Sequence, residues 1–480
     1  MLPIYFSEAS NPSIRASQAR TLLHNVNSGT ITIVKRYEAL FNAYCILMAK
    51  DYKKGESQLL PSHFTSHTNL QLWSSIPVLT ATLPILAMDA LTQSSIPYIG
   101  NFGSSFSVMA TGITAPRKMS CFSVQGDEYI QVIKRDEIRS DCVVQQLFEL
   151  LNQLLREVQD DPTLVSKKVD QILLRTYKVV SITSDIGVLE YVRHSLTIRD
   201  YLVDDSWCLD SFLIHRQSTK KRSAHRRYHP GEIENGAILK KFERIGKQDK
   251  QQRLELYQSI TKQFTPVFHY FFLERFVHPE LWYHNIQNFI STLSINSIIG
   301  YIVGLGDRHL RNIMIDQKTG QLIHIDFGIL FEKGRLLSVP ETVPFRLTRE
   351  FVDCLGMEGV DGLLRQQMEF CMDLICKNKE LILTVLRVFL HDPLNLWKVQ
   401  PNRYENRMVE DVNTSATQVL FKIENKIMRR GVQTTESISV EKQVDVLIKM
   451  ATNESNLALM YHGWGAWLYR VCHKQVHCMQ

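Results

Sequence analysis

The sequence predicts an α+β fold of two lobes, a small β-rich N-terminal lobe and a larger helical C-terminal lobe. Three observations carry this. Across residues 106–133 the short apolar runs SVMA, KMSCFSV and EYIQVIK are punctuated by Gly112 and by Gln125-Gly126-Asp127, the pattern of an antiparallel meander. From Phe242 to about Trp397 apolar residues recur at helical spacing. One compact region, residues 304–328, interrupts those helices with loop and hairpin chemistry. The composition of the 480 residues, 44% hydrophobic and 22% charged, is that of a globular chain. A net charge of +6 over this length is too dilute to argue for nucleic acid.

In chain order, residues 29–50 mix apolar and basic positions at helical spacing and predict a helix. The Pro-, Ser- and Thr-rich stretch 58–97 has no clear period and predicts a domain boundary. Residues 136–155 predict a helix, with Ile138, Val144, Leu147, Phe148, Leu151 and Leu154 on one face. RTYKVVSIT and GVLEYV read as apolar runs after it. The polar segment 215–229 predicts a solvated basic loop, with Lys220, Lys221 and Arg222 as the alternative nuclear-import or anionic-partner patch. Residues 399–438 are polar and predict a linker or regulatory segment, followed by an amphipathic helix near 440–451.

Nine cysteines, an odd number scattered along the chain, do not form a disulfide framework and fit a reducing, intracellular compartment. Neither a signal peptide nor a transmembrane helix is expected, since the most apolar stretch, 76–91, is short and holds Pro77, Pro84 and Asp89. In the tail, Cys472, His473, His477 and Cys478 are four candidate zinc ligands. Their adjacent pairing suits a tetrahedral site poorly, and frayed terminal residues are the better reading.

Phosphoryl transfer needs a carboxylate at the attacking hydroxyl, oxygen ligands for Mg²⁺ and a lysine on the phosphates. In GLGDRHLRNIMI, Asp307 precedes Asn312 by five positions, the separation between the base and the metal-binding Asn in protein-kinase catalytic loops. NIMI and LIHI flank Thr319-Gly320 and predict a hairpin. Pairing about Thr319 sets Asn312 opposite Asp326, which opens DFG, so two hard-cation ligands face each other. His309 is either a packed histidine or a group touching the γ-phosphate or the base. Lys134 ends the strand EYIQVIK, with Glu137 or Asp141 as its expected carboxylate partner, and ATGITAPRK around Gly112 is a weak phosphate turn.

GLGDRHLRN, HIDFG and VPETVPFRLTREFVDCLGMEGVDG resemble the catalytic loop, metal-binding motif and activation segment of the phosphatidylinositol 3-kinase-related protein kinases, most closely the ataxia telangiectasia mutated (ATM) kinase family. RTYKVV, GVLEYV, PVFHYFFLERF and HDPLNLW add to the resemblance, and VLIKMATNESNLALMYHGWGAWL is similar to that family's FATC segment. The likeness runs from about Ile76 to Leu468.

The resemblance implies a two-lobed kinase-like fold and an ATP- and Mg²⁺-dependent enzyme, with Mn²⁺ as an alternative. It implies Lys134 on the phosphates, Tyr177 and Asp141 lining the nucleotide pocket, and Leu189, Glu190 and Tyr191 as the hinge under adenine. Asp307 would be the catalytic aspartate, His309 its partner, Asn312 and Asp326 the metal ligands, and Pro340, Glu341, Thr342, Val343, Pro344, Phe345 and Arg346 the activation and substrate segment. The implied organisation is a FAT-like helical end at 1–60, an N-lobe and hinge at 61–192, a C-lobe at 193–398 with a basic insertion at 206–223, a regulatory linker at 399–438, a FATC-like segment at 439–468 and a tail at 469–480.

The family phosphorylates Ser or Thr followed by Gln in the nuclear DNA-damage response. Protein substrates, DNA-break sensor complexes bound through regions missing here, and a homodimer are the implied partners, with no membrane. The long solenoid of such kinases is absent, so the chain reads as a fragment or a short relative. A phosphoinositide kinase is the first rival. It needs a basic activation segment, whereas only Lys333 and Arg335 stand against Glu332 and Glu341 between Asp326 and Arg346. A non-catalytic scaffold is the second, opposed by the presence of Lys134, Asp307, Asn312 and Asp326.

Overall fold

The computed structural model describes residues 28–82, 96–110, 114–159, 173–203, 223–232, 235–245, 249–390, 409–430, 437–461 and 464–465. The chain divides into two compact units, one comprising residues 1–145, 177–192 and 389–409 and the other 146–176, 193–388 and 410–480. Gly112, nearly all of the basic insertion 206–223 and the Cys/His tail lie outside the described residues.

The first unit is built on a six-stranded antiparallel sheet in the order β1-β2-β3-β4-β6-β5. Its strands are β1 Ser57–Leu59, β2 Ile99–Val108, β3 Arg117–Ser123, β4 Glu128–Arg135, β5 Val179–Ser181 and β6 Ile186–Glu190. The expected meander is β2 to β4. In β3 every second residue is buried, Arg117, Met119, Cys121 and Ser123, as a strand covered on one face requires. Gly187 in β6 has a packing reason, because a Cβ there would stand 1.5 Å from Ile138 Cδ1.

The helix Ser28–Ala49 fits the predicted one, but the domain boundary expected after it does not separate two cores. Leu40, Ala43, Tyr44 and Leu47 of that helix share one apolar cluster with Phe64, Trp73, Phe102 and Phe106. The intervening Pro- and Ser-rich stretch supplies β1 and the short helices Ser62–Thr65 and His67–Trp73, whose aromatic rings close the cluster. Proline and serine punctuate these short elements rather than a linker.

The second unit holds the three-stranded sheet β7-β8-β9, with strands Ser195–Thr197, Ile313–Asp316 and Leu322–His324, among helices. Its centre is the helix Pro279–Val303, against which Leu363–Lys377 packs, with Val440–Thr452 packed on the latter. This central helix is the one described helix long and apolar enough to cross a membrane, and 78% of its window is buried within the chain, as in a core helix. Its buried polar groups bond back to the preceding turn: Ser291 Oγ to Gln287 O and Thr292 Oγ1 to Asn288 O, each at 2.7 Å. Thr292 Oγ1 also accepts the Leu322 N–H of β9 at 2.9 Å, so the helix fixes the hairpin. Phe268, Phe271, Phe272, Phe289 and Phe351 interlock beside it.

The segment expected to be a linker, 399–438, contains the helix Val409–Ile427. Only a few of its described positions, Ala416, Ile423 and Ile427 among them, are buried, while Lys426 Nζ reaches Glu332 Oε1 at 3.0 Å and Tyr301 O at 2.8 Å. A polar helix needs few apolar anchors, and polarity outweighed period in the sequence reading.

A test of the shared core follows from the Tyr44 hydroxyl, which is buried and donates to Gln131 Oε1 at 2.6 Å. Tyr44→Phe should strand the buried Gln131 acceptor and cost about 1–3 kcal/mol in urea unfolding. A change near zero would mean that the helix Ser28–Ala49 is not docked on the sheet.

Candidate active site

The loop that carries Asp307 begins where the central helix is stopped. Gly304 has φ +61°, its N–H bonds to Tyr301 O, and Leu305 N–H bonds to Gly300 O at 2.8 Å. A Cβ on Gly304 would stand 2.5 Å from Glu332 N, so only glycine fits this exit. Gly306 N–H then bonds to Ile329 O at 2.9 Å, and Asp307 follows with φ +56°, an uncommon conformation for a side-chain-bearing residue. Both sides of Asp307's backbone are held. Its N–H donates to Glu341 Oε1 at 2.7 Å, and its carbonyl accepts Asn312 Nδ2 at 3.0 Å.

Asn312 is buried and also places Nδ2 at 3.4 Å from Asp307 Oδ2. The hairpin β8–β9 forms as predicted, but its register differs by one residue. Ile313 faces His324 and Ile315 faces Leu322, so Asn312 stands opposite Ile325, whose N–H it accepts at 3.1 Å, and not opposite Asp326. The turn is the cause: Asp316 Oδ1 accepts the Lys318 and Thr319 N–H groups at 2.7 and 3.0 Å, while Gly320 closes the loop with φ +69°. Pairing is therefore centred between 318 and 319. Asp326 leaves the strand with φ +62°, which turns it out of the alternation.

Arg308, absent from the residues proposed from sequence, ties these parts together. It is 2% exposed. Its Nε donates to Gly306 O at 2.8 Å, Nη1 to Ile325 O at 2.9 Å and Asn312 O at 3.3 Å, and Nη2 to Asp326 O. One planar donor fork thus joins the Asp307 loop to the DFG segment.

Burial pushes the Asp307 carboxyl up to about 6, opposed by the Arg308 charge and reinforced by Asp326 and Glu341. Burial, with Arg308 second, pushes His309 down to about 4. His309 is therefore a neutral imidazole at physiological pH. Its Nδ1 accepts the Arg311 N–H at 3.2 Å, which assigns the ring proton to Nε2, the atom 3.9 Å from Asp307 Oδ2.

Within the segment 340–346, Thr342 Oγ1 donates to Asn456 O at 2.8 Å and Phe345 is buried. Arg346 is buried and donates to Trp464 O at 2.6 Å, Gly465 O at 3.0 Å and Arg308 O at 3.3 Å, with its guanidinium 4.8 Å from the Trp464 ring centre. Burial holds it down to about 9. The anchors at Asn456, Trp464 and Gly465 are more than a hundred positions away in sequence, which is why no local pattern announced them.

In the first unit, Lys134 Nζ lies 2.9 Å from Asp136 Oδ2. Glu137, one of its two expected partners, caps the following helix instead, accepting the Arg139 N–H at 3.0 Å and the Ser140 hydroxyl at 3.2 Å. Asp141 and Tyr177 are both buried, and Tyr177 N–H bonds to Gln145 Oε1 at 3.0 Å. Leu189 and Glu190 end β6 opposite Val132 and Gln131 of β4, and Tyr191 N–H bonds to Ile130 O at 2.9 Å.

The donors present suit a hard divalent cation. Asn312 commits Nδ2 to Asp307, which leaves Oδ1 as its acceptor, and Asp326 adds a carboxylate. No group of three or more His, Cys, Asp or Glu able to hold a metal occurs among the described residues, so a cation here would depend on the amide oxygen.

Arg346→Lys keeps the charge but cannot fork to Trp464 and Gly465. The expected result is a loss of about 1–3 kcal/mol and faster backbone hydrogen exchange at residues 454–461. Unchanged exchange there would detach this segment from Arg346.

Residues 129–399 match the family model described as phosphatidylinositol 3- and 4-kinase, and residues 437–468 match the FATC domain. Serine/threonine-protein kinase ATM of Arabidopsis thaliana is 33% identical over 471 residues, 94% of this chain and 11% of its own length. Serine/threonine-protein kinase tel1 of Schizosaccharomyces pombe is 32% identical over 417 residues, 80% of this chain and 14% of its own. The solved FAT and kinase domain of CtTel1 matches with a TM-score of 0.75 at 29% identity, covering 94% of this chain and 30% of that one. The chain thus spans 11% to 14% of the length of these two curated relatives. With more than half of its residues in the kinase match and the FATC match downstream, the chain belongs to the phosphatidylinositol 3- and 4-kinase family and carries a FATC domain.

Proposed function

We propose that this chain is the kinase and FATC portion of an ATP-dependent serine/threonine protein kinase of the ATM and Tel1 type. It acts on Ser/Thr-Gln sites of nuclear proteins in the DNA-damage response and telomere maintenance. The observation that carries the reading is the Asp307 carboxylate, held from both sides of its backbone, raised to about 6, and faced by a neutral His309. A carboxylate tuned toward neutral pH suits acceptance of a proton from an attacking hydroxyl. The names of the relatives, serine/threonine-protein kinases, support a protein hydroxyl as acceptor. A solved relative titled as a complete CtTel1 dimer with C2 symmetry supports a homodimer.

In this reading Asp307 Oδ2 takes the proton of the substrate hydroxyl as that oxygen attacks the γ-phosphorus of ATP, while the bond from that phosphorus to the β,γ-bridging oxygen breaks and ADP leaves with its electron pair. His309 Nε2–H stands ready to donate to a phosphoryl oxygen or to steady Asp307. Asn312 and Asp326 would hold Mg²⁺, which when bound neutralises charge on the phosphates. Lys134, Tyr177, Asp141 and Leu189 to Tyr191 are assigned to nucleotide binding, and residues 340–346 to substrate docking. Break-sensor complexes would engage the rest of the protein.

The family description keeps a lipid headgroup in view as an alternative substrate. Of the acidic residues that oppose it, Glu332 pairs with Lys426 at 3.0 Å and Glu341 is turned toward Asp307. Transfer from ATP to a Ser-Gln peptide, a Ser-Ala peptide and phosphatidylinositol, run in parallel, decides between them. The Gln-to-Ala change should lower kcat/KM by about tenfold to a hundredfold through lost buried amide bonds. Equal peptide rates, or a preference for phosphatidylinositol, would favour the lipid reading.

Asp307→Ala should lower kcat by about 10²–10⁴-fold while nucleotide binding persists. The ionised carboxylate is the working form. Activity should therefore rise with pH through about 6 and fall as pH drops below it, while His309, at about 4, adds no limb above pH 5. An acid limb at the ordinary carboxylate value would remove Asp307 from the proton-accepting role.

A further inference from the structure

The Asp307 N–H has an acceptor that comes not from its own loop but from the activation segment. Glu341 Oε1 lies 2.7 Å from that nitrogen, and Glu341 is anchored through its own N–H to Gly334 O at 3.1 Å. The slot that receives its carboxylate is walled by two glycines. A Cβ on Gly306 would stand 2.5 Å from Glu341 Oε2, and one on Gly334 would stand 2.2 Å from the same atom. Neither glycine needs its freedom for backbone conformation, since neither has positive φ. What both supply is room beside one carboxylate. Burial raises the Glu341 carboxyl above its usual range, opposed by the Asp307 N–H that it accepts and then by the buried Arg308 cation in the same loop.

We propose that Glu341 is a positioning residue for phosphoryl transfer: seated between Gly306 and Gly334, its carboxylate receives the Asp307 N–H and holds Asp307 in the left-handed conformation that aims its side chain. The proposal rests on the kinase reading above. It separates Glu341 from the docking role given to its neighbours, because the carboxylate faces back into the catalytic loop. Asn312 holds the carbonyl side of the same residue, so two clamps on opposite sides share one function. Opening the Glu341 clamp leaves the carboxylate of Asp307 chemically intact but free to leave its strained rotation, which should slow the transfer step and spare nucleotide binding.

The test uses the full 480-residue chain with three variants. Glu341→Ala removes the acceptor, Glu341→Gln keeps a carbonyl oxygen in its place, and Gly334→Ala keeps Glu341 but crowds its Oε2 out of the slot. Peptide phosphorylation at saturating ATP should lose about tenfold or more in kcat in Glu341→Ala and Gly334→Ala, with KM for peptide and ATP within about twofold of the parent. Glu341→Gln should return kcat to within about threefold. In parallel, hydrogen exchange at the Asp307 amide, read from a fragment spanning residues 305–309, should speed up in Glu341→Ala and Gly334→Ala and stay protected in Glu341→Gln. An unchanged kcat in Glu341→Ala overturns the proposal. So does a rise in peptide KM alone, which would make Glu341 a docking residue, and so does Glu341→Gln behaving as Glu341→Ala. If the parent chain phosphorylates no peptide, the protein-kinase reading falls by itself, and the exchange data decide: unchanged protection in Glu341→Ala overturns the positioning role, and lost protection regained in Glu341→Gln upholds it.

Discussion

A guanidinium sealed inside its own loop sets the geometry of the second unit. Arg308 gathers the carbonyls of Gly306, Asn312, Ile325 and Asp326, of which that of Asn312 also accepts the Ile325 N–H. Each would cost free energy if buried unpaired, and a single planar fork satisfies them together. Because those carbonyls belong to the Asp307 loop and to the end of β9, the spacing between the proposed base and the DFG aspartate is set by one side chain. The ring of Phe327, 5.6 Å from the same guanidinium, covers it from the other side.

Around that fork the backbone takes conformations that most residues avoid. Asp307, Asp326, Phe331 and Glu332 all have positive φ. Non-glycine residues held this way cost of order 1–3 kcal/mol each and persist only where surrounding contacts over-determine them. Here those contacts can be named: Glu341 and Asn312 on Asp307, Arg308 on Asp326, and the Val303 and Gly304 carbonyls accepting the N–H groups of Phe331 and Glu332. The strain is thus concentrated at two carboxylates assigned to chemistry and at residues 331–332, while the central helix beneath stays regular.

Much of this was legible in the sequence because it is local. The meander, the helices from 136 and from 440, and the hairpin at 313–324 follow from apolar period and turn residues alone. The hairpin register was missed by one position because Asp316 draws two N–H groups into the turn and shifts its centre, which alternation of apolar residues does not reveal. Lys134 was placed on its strand, yet its observed ion pair with Asp136 and the capping by Glu137 depend on how the next helix starts. Arg308 was not singled out, and Glu341 and Arg346 were placed only within the expected activation and substrate segment, because their partners are distant in sequence or are backbone groups without a side-chain signature. The two glycines beside Glu341 were the available signal, since neither occupies a position where a turn demands one.

Arg346 gives the chain a dependence on its own completion. Its acceptors at Trp464 and Gly465 are made 118 and 119 residues after it. At about 5–20 residues per second of synthesis, the Asp307 loop and residues 340–346 leave the ribosome several seconds before the carbonyls that satisfy this cation exist. During that interval Arg346 must remain hydrated, which keeps the surrounding segment from closing over it. A message cut short anywhere between the two would yield a product with every proposed catalytic side chain in place but with the Arg346 guanidinium left hydrated for want of two of its acceptors. The carbonyls of Trp464 and Gly465 thus tie the closing of the segment around Arg346 to residues synthesised more than a hundred positions later.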